Sequence, residues 1–298
     1  SPMSDDIGVF NAAICASSAS ASVSVIAGTS NASLVRMPSG TALSTSASRL
    51  SIPITSSMVA ISASDGPMWR RTNSSRFSSV SRLGRLIHQF PSDIFLNEGI
   101  NGDVVWQVHQ RLESILKINP DIVILMIGSN DAMASFNSKS GARYKRINNL
   151  PNVPSFKSYQ KLFSELLDRL SIFSEVYICT LPPIGENKNS KINHHINQFN
   201  DFIRTVAHER DLSILPISEA LWSDLALREY PFTSDYNPNS IPLMRRIYGG
   251  VMHHYIFKQP WDKVARSKRQ WLLFDQIHLG ERAANIVFNL VKNAISKK

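Results

Sequence analysis

Short apolar runs alternate along the chain with stretches in which apolar residues recur every three or four positions. The runs predict buried β-strands, and they are Met58–Ile61, Asp93–Asn97, Asp121–Ile127, Val176–Leu181 and Leu212–Ile217. The periodic stretches predict helices, and they cover residues 77–87, 104–116, 158–170 and 192–209. Strands and helices that alternate at this spacing predict an α/β fold, in which helices cover both faces of a parallel sheet.

Polar residues follow two of these strands and also precede the last helix. They form three turns, which are Asn97–Asp103, Gly128–Asp131 and Asp275–His278. Ligands of open parallel sheets bind beyond the carboxyl ends of the strands. We therefore expect the chemistry of the protein to reside in these three turns.

Asp275 and His278 lie three residues apart on the last turn. A serine that attacks an acyl group needs an imidazole to accept its proton and a carboxylate to orient that imidazole. A spacing of three on a tight turn can bring the carboxylate to Nδ1 and leave Nε2 facing a serine. Taken alone the pair is a weak signal, because a solvated aspartate followed by a helix-capping histidine has the same spacing.

Asn130 follows the most apolar of the predicted strands. Its side-chain amide could donate a hydrogen bond into the cleft, where a tetrahedral oxyanion needs preorganised donors. Gly102, in the preceding turn, could add a backbone N–H because no side chain blocks close approach. The competing interpretation of Asn130 is an ordinary Asx turn.

These segments together resemble blocks II, III and V of the SGNH (GDSL-type) esterase and lipase superfamily. The matching segments, in family order, are Asn97–Asp103, Gly128–Asp131 and Asp275–Leu279. The stretch Leu181–Glu186, with the helix that follows it, is similar to the region after the fourth strand of many members.

The resemblance implies a three-layer α/β/α sandwich with a parallel flavodoxin-like sheet, the SGNH hydrolase fold. It implies hydrolysis of esters or thioesters without a cofactor or a metal ion. It also implies that Gly102 and Asn130 form the oxyanion hole and that Asp275 and His278 complete a catalytic triad.

The family's first block, which contains the nucleophile, is Gly-Asp-Ser, and this chain has no such tripeptide. Ser64 lies 38 residues before Gly102, which fits a crossover with one helix, but Ser62 stands where the family has glycine. Ser30 keeps a glycine two residues earlier, yet it lies 72 residues before Gly102 and requires a long insertion. We favour Ser64, with Ser30 as the alternative nucleophile, and a chain without any nucleophile is the third reading.

Composition divides the chain near residue 60. Residues 1–60 include 16 Ser, 10 Ala and 4 Thr, and their four charged residues cancel. We therefore assign residues 1–56 to a Ser/Ala-rich extension and residues 57–298 to the hydrolase domain. An acid-poor, Ser-rich segment with arginines is typical of organelle targeting, whereas the alternation in Ala21–Ala27 is typical of a strand. The sequence leaves both readings open, and the localisation with them.

The basic excess lies in the hydrolase domain. The chain has 32 Lys and Arg against 23 Asp and Glu, a net charge of +9. This charge favours an anionic partner, but no nucleic-acid recognition motif accompanies it, so we expect no nucleic acid and leave peripheral contact with an anionic membrane open. No apolar run is long enough to cross a membrane. Cys179 lies in a predicted strand, far from Cys15, and is interpreted as a buried core residue.

Residues 219–270 are too many for an ordinary connection in this fold. Aromatic and basic residues interleave along them, and they lead into the Asp275–His278 turn. We interpret them as a cap beside the cleft that sets specificity, with an additional helical layer as the alternative.

The sequence thus predicts a serine carboxylester hydrolase of the esterase, lipase or lysophospholipase type that works through an acyl-enzyme. Its substrate would be a small-molecule ester or a lipid-like acyl compound. An acyltransferase on the same scaffold and a non-catalytic basic binding protein are the alternatives. The oligomeric state stays open.

Overall fold

The computed structural model describes residues 56–62, 82–100, 102–231 and 234–297. Nearly all of the Ser/Ala-rich extension lies outside these ranges, as do both candidate nucleophiles, Ser30 and Ser64. The boundary between the extension and the hydrolase domain therefore stays a prediction.

Five described strands form one parallel sheet. They are β1 Ser56–Ser62, β2 Asp93–Asn97, β3 Ile122–Met126, β4 Glu175–Cys179 and β5 Ser213–Leu215. Their spatial order is β2-β1-β3-β4-β5, which is the flavodoxin-like order, and every pairing is parallel. The predicted α/β class and the parallel sheet are confirmed, and each predicted strand differs from the observed one by at most two residues at either end.

Eleven helices lie within the described residues. They are α1 Arg82–Gln89, α2 Val105–Gln110, α3 Leu112–Leu116, α4 Ser129–Ser135, α5 Ser138–Ile147, α6 Phe156–Leu170, α7 Lys191–Glu209, α8 Ile217–Leu225, α9 Ser240–Tyr255, α10 Trp261–Ser267 and α11 Glu281–Ile295. None of them is long and apolar enough to cross a membrane.

The helices pack in two groups, which gives the three layers. Helix α11 contacts α1, α8 and α10, whereas α4, α6 and α7 contact one another, with α2 and α5 beside them. Strand β3 is buried along its whole length, as expected when helices cover both faces of a sheet. Cys179 is buried at the end of β4, as predicted, and burial raises the pKa of its thiol.

The structure corrects the sequence-based elements at two places. The predicted helix over 104–116 is two short helices that meet at Arg111, where the backbone leaves helical geometry (φ −104°, ψ 8°). The polar segment Gly128–Asp131 is not a turn but the start of α4. Helix α5 was missed because it is mainly polar and buries only Ser140 and Gly141, so it has no apolar periodicity to detect.

Candidate active site

The polar segments meet at the carboxyl edge of the sheet. Strand β1 lies between β2 and β3, with Ala60 opposite Asn97 and Ser62 opposite Met126. The chain leaves β2 toward Gly102 and leaves β3 toward Gly128. The ends of three neighbouring strands therefore lie together at one edge of the sheet, where this topology places ligand sites.

Asp275 and His278 lie at the tip of a narrow hairpin. Leu273 and Leu279 form an antiparallel bridge, and the N–H of Phe274 donates to the carbonyl of His278 at 3.0 Å. Between these strands Gln276 adopts a left-handed backbone conformation, with φ +81°. The loop that was predicted to carry the pair is therefore a tight, hydrogen-bonded turn.

The structure brings the two side chains together. His278 Nδ1 hydrogen-bonds to Asp275 Oδ2, while Asp275 Oδ1 accepts from the backbone N–H groups of Ile277 at 3.0 Å and His278 at 2.8 Å. Both side chains are fully buried. Burial alone would raise the pKa of Asp275, but the imidazole and the two N–H groups lower it below its ordinary value. The carboxylate is therefore charged and holds the imidazole by Nδ1.

The opposite ring nitrogen is available for chemistry. His278 Nε2 is buried and makes no hydrogen bond to any described residue. With Nδ1 donating to Asp275, Nε2 carries the free lone pair of a neutral imidazole. This is the atom that a general base uses to take a proton.

A buried carboxylate from a distant segment holds the base of the hairpin. Glu186 accepts the backbone N–H groups of Trp271 at 2.8 Å, Leu272 at 2.7 Å and Leu273 at 3.0 Å. Arg228 forms an ion pair with the same carboxylate at 3.4 Å. Three strong acceptor contacts from one side chain fix the hairpin against the loop that follows β4.

Two further side chains stabilise the tip of this hairpin by hydrogen bonds. Gln276 Nε2 donates to the carbonyls of Ser234 at 2.8 Å and Asp235 at 3.0 Å. Lys268 Nζ donates to the carbonyl of Phe274 at 3.1 Å, and burial lowers the pKa of this lysine. Residues 219–270 therefore contact the Asp275–His278 turn directly.

Aromatic rings stack outward from His278. Phe274 lies 5.4 Å from the imidazole with an interplanar angle of 20°. Trp261 lies 4.1 Å from Phe274, and His254 stacks on Trp261 at 3.9 Å. The ring series joins His278 to helices α9 and α10.

Asn130 occupies the second position of α4, beside the turn that contains Gly102. Its Nδ2 donates to the carbonyl of Asp103 at 2.9 Å, and its Oδ1 accepts from the hydroxyl of Tyr144 at 2.9 Å. One amide N–H of Asn130 is left for another acceptor. Gly102 has φ +79°, a conformation that glycine adopts at little cost. The structure thus places the two predicted oxyanion donors next to each other.

A second aspartate holds the start of α4. Both carboxylate oxygens of Asp131 accept from the backbone N–H of Val105, at 3.2 and 3.0 Å. Burial raises the pKa of Asp131 to about 7, and Asp103 adds to the rise. The contact ties the segment after β3 to the first turn of α2.

Tyr236 is a further buried ionisable residue near Asp275. Its side chain is buried, and burial raises the pKa of its phenol to about 12. Arg143 opposes this rise, whereas Asp275 adds to it. The ring therefore lies within electrostatic range of the Asp275 carboxylate and of Arg143, the residue next to Tyr144.

Sequence reasoning missed several positioning residues. Glu186 lay in a segment noted for its family resemblance, and Asn193 and Asn200 hold that segment through backbone contacts at Ile184 and Leu181. A lone glutamate has no sequence signal for such a role. Tyr144 was missed because it lies on the unpredicted helix α5.

No group of three or more His, Cys, Asp or Glu side chains in the described part of the chain could hold a metal ion. The paired histidines serve other contacts. His195 Nε2 hydrogen-bonds to the hydroxyl of Ser135 at 3.0 Å, and His254 Nδ1 donates to the carbonyl of Gln259 at 2.8 Å.

A model of the GDSL-like lipase/acylhydrolase family matches residues 62–241, more than half of the sequence. The chain belongs to this family, and it is a carboxylic ester hydrolase. The match covers Gly102 and Asn130 and ends before Asp275 and His278. No curated protein sequence gives a significant match.

Two solved structures are similar to the chain. The acetylxylan esterase Axe2 from Geobacillus stearothermophilus is 16% identical, with a TM-score of 0.50 over 72% of this chain and 78% of Axe2. LAE5, an alpha/beta hydrolase enzyme from the metagenome of Lake Arreo, Spain, is 18% identical, with a TM-score of 0.48 over 72% of this chain and 79% of its own. The likeness to Axe2, together with the family match, identifies the sheet and its helices as the SGNH hydrolase fold predicted from the sequence.

Proposed function

We propose that the chain is a serine carboxylesterase that works through an acyl-enzyme, with Ser64 as nucleophile and His278 and Asp275 as its general base and orienting carboxylate. The observation that carries the proposal is the buried pair itself. Asp275 is held charged by two backbone N–H groups, and it leaves His278 Nε2 buried and without a hydrogen-bond partner among the described residues.

Each step then has a group to perform it. His278 Nε2 takes the proton of the serine hydroxyl while the oxygen attacks the acyl carbon, and the imidazolium is stabilised by Asp275. The free amide N–H of Asn130 and the backbone N–H of Gly102 stabilise the oxyanion. His278 returns the proton to the leaving alcohol, and water repeats the sequence to release the acid.

Two observations favour Ser64 over Ser30. Strand β1 ends at Ser62, between the two strands that lead to Gly102 and Asn130, and Ser64 follows this strand end by only two residues in the sequence. The family match also begins at residue 62, which leaves Ser30 well before it.

The catalytic mutants of Axe2 supply a parallel. Alanine replaces a serine, an aspartate, or a histidine three positions after that aspartate in three of its solved structures. Asp275 and His278 have the same order and spacing. This supports the proposed use of the pair.

A fluorophosphonate probe tests the proposal, because only an activated serine reacts with it. We expect labelling of the wild-type chain and hydrolysis of p-nitrophenyl acetate, with both lost in Ser64→Ala and kept in Ser30→Ala. The reverse pattern would make Ser30 the nucleophile. Full activity in both variants would reject a serine mechanism at either position.

We also propose that residues 219–270 act as a cap beside the cleft. The support is that Ser234 and Asp235 hold Gln276 and that Tyr236 lies within electrostatic range of Asp275. Because this segment contacts the Asp275–His278 turn at several points, it can restrict the space beside His278 and so limit the size of the substrate's acyl group.

A further inference from the structure

Helix α9 is apolar on two opposite faces. Its inward face buries Leu243 and Ile247 in the main core. Its outward face exposes Ile241 by 83% and Met252 by 48%, and with about 100° between successive residues these two positions lie on one side of the helix, away from Ile247. A surface helix normally carries polar residues on its outward face, so the outer stripe of α9 needs another explanation.

The apolar surface is widest at the end of the helix. Tyr255, Ile256 and Phe257 are 51%, 63% and 59% exposed, directly after Met252. Contiguous exposed apolar side chains of this kind mark interaction surfaces. We define the docking surface as Ile241, Met252, Tyr255, Ile256 and Phe257.

The segment that carries this docking surface is rich in positive charge. Residues 240–270 contain seven Lys and Arg and a single carboxylate, Asp262. Five of the cations are exposed and take part in no ion pair within the described residues; these are Arg245, Lys258, Lys263, Arg266 and Arg269. Most of the net charge of the chain therefore lies in the segment that carries this docking surface.

We propose that this docking surface binds the interface of an anionic lipid bilayer. Exposed Met, Ile, Tyr and Phe side chains can enter the boundary of the acyl chains while the neighbouring cations contact the anionic headgroups. A second copy of this chain would bring two basic surfaces together, which like-charge repulsion disfavours. The combination of apolar centre and basic surroundings fits the lipid interface better.

The docking surface is also close to the candidate catalytic centre. His254, one residue before Tyr255, stacks on Trp261, which contacts Phe274, which in turn stacks on His278. A bilayer bound at α9 would lie beside the cap and the cleft. The proposal thus extends the proposed function toward esters presented at a membrane, but lipid binding itself does not depend on the identity of the nucleophile.

The test is co-sedimentation of the whole chain with vesicles. One set contains phosphatidylcholine alone and the other an equimolar mixture of phosphatidylcholine and phosphatidylglycerol. We expect binding to the mixed vesicles only, weaker at high salt because ions screen the headgroup charge. Equal binding to both sets, or none to the mixed set, would overturn the proposal.

The docking variant is the double substitution Met252→Glu and Ile256→Glu, and the matched control is Ile172→Glu with Phe173→Glu. The control pair is 70% and 56% exposed and immediately precedes β4, at the opposite edge of the sheet. We expect the docking variant to bind mixed vesicles at least about tenfold more weakly, and the control to bind like the wild type. Equal loss in both, or loss in neither, would contradict the assignment.

Two further measurements separate this result from other outcomes. Binding of the Ser64→Ala variant to the mixed vesicles should equal that of the wild type, so failure of the docking proposal and failure of the proposed esterase remain distinguishable. Sedimentation velocity tests the other occupant. A wild-type dimer that the docking variant disperses, without vesicle binding, would replace the lipid bilayer with a second copy.

Discussion

The candidate site has two proposed halves, the oxyanion half around Asn130 and the acid–base half formed by Asp275 and His278, and they are held in different ways. The oxyanion half is positioned by the ends of two strands. Asn130 lies on the first turn of α4, directly after β3, and contacts the turn after β2. The acid–base half lies on a hairpin of the chain's last third and is fixed by side chains far away in sequence, above all Glu186.

The electrostatics differ as well. Asp131, in the oxyanion half, has its pKa raised to about 7 because burial outweighs its hydrogen bonds. Asp275, in the acid–base half, has its pKa lowered because an imidazole and two N–H groups outweigh burial. One carboxyl group serves as a structural acceptor that a proton can occupy near neutrality. The other stays charged, as the orienting group of a triad must.

The largest expected effect is the loss of the charge at Asp275. Asp275→Asn keeps the shape of the side chain but presents an amide to His278 Nδ1, which favours the wrong tautomer. We expect kcat for p-nitrophenyl acetate to fall by about 10⁴-fold, the loss typical of this change in a triad.

Asp211→Asn is the matched control, since Asp211 is exposed and has φ +52°, a conformation that Asn tolerates. Its activity should equal that of the wild type. A fall of less than about tenfold in Asp275→Asn would show that the acid–base half does not depend on this carboxylate.

A smaller loss is expected in the oxyanion half. Asn130→Ala removes one donor to the oxyanion, and losing one such donor typically costs about 10²–10³-fold in kcat. Steady-state kinetics with p-nitrophenyl acetate measures the effect, with Asn293→Ala, an exposed position near the end of α11, as the control. A kcat within about threefold of the wild type would remove Asn130 from the oxyanion hole.

The third prediction concerns stability and its dependence on pH. The pKa of Asp131 is raised from 3.8 to about 7 in the folded chain. The contribution of its proton to folding stability is therefore fully present below pH 3.8 and is lost as the pH rises through about 7. Asp275 acts in the opposite sense, since its lowered pKa stabilises the fold above its ordinary value and this contribution is lost in acid.

Urea unfolding between about pH 5 and about pH 8 measures this contribution of Asp131. We expect Asp131 to lower the free energy of unfolding of the wild type by on the order of 3 kcal/mol as the pH rises over this range. Asp131→Asn should flatten the pH dependence in this range, whereas Asp275→Asn should leave it in place. An unchanged slope in Asp131→Asn would contradict the contrast between the two carboxyl groups.

The local pattern of apolar residues predicted the position of Asn130 well, but it predicted the neighbouring helices only in part. Asn130 could be placed because a five-residue apolar strand precedes it and parallel topology brings strand ends together. The start of α4 was misread as a turn because its sequence Ser129–Ser135 has no apolar spacing beyond its buried small residues. Helix α5 was missed for the same reason, and with it Tyr144, which orients Asn130.

The sequence by itself determined the alternation of strands and helices, the class of the fold and the pairing of Asp275 with His278, because these depend on spacings of a few residues. Only the tertiary structure decided how the hairpin is held. Glu186 and the ring series from His254 to His278 connect segments that are far apart in the sequence, and no local sequence pattern predicts such contacts. It also decided that α9 is apolar on its outer face. Periodicity identifies which residues share one side of a helix, but burial by other elements decides which side faces solvent.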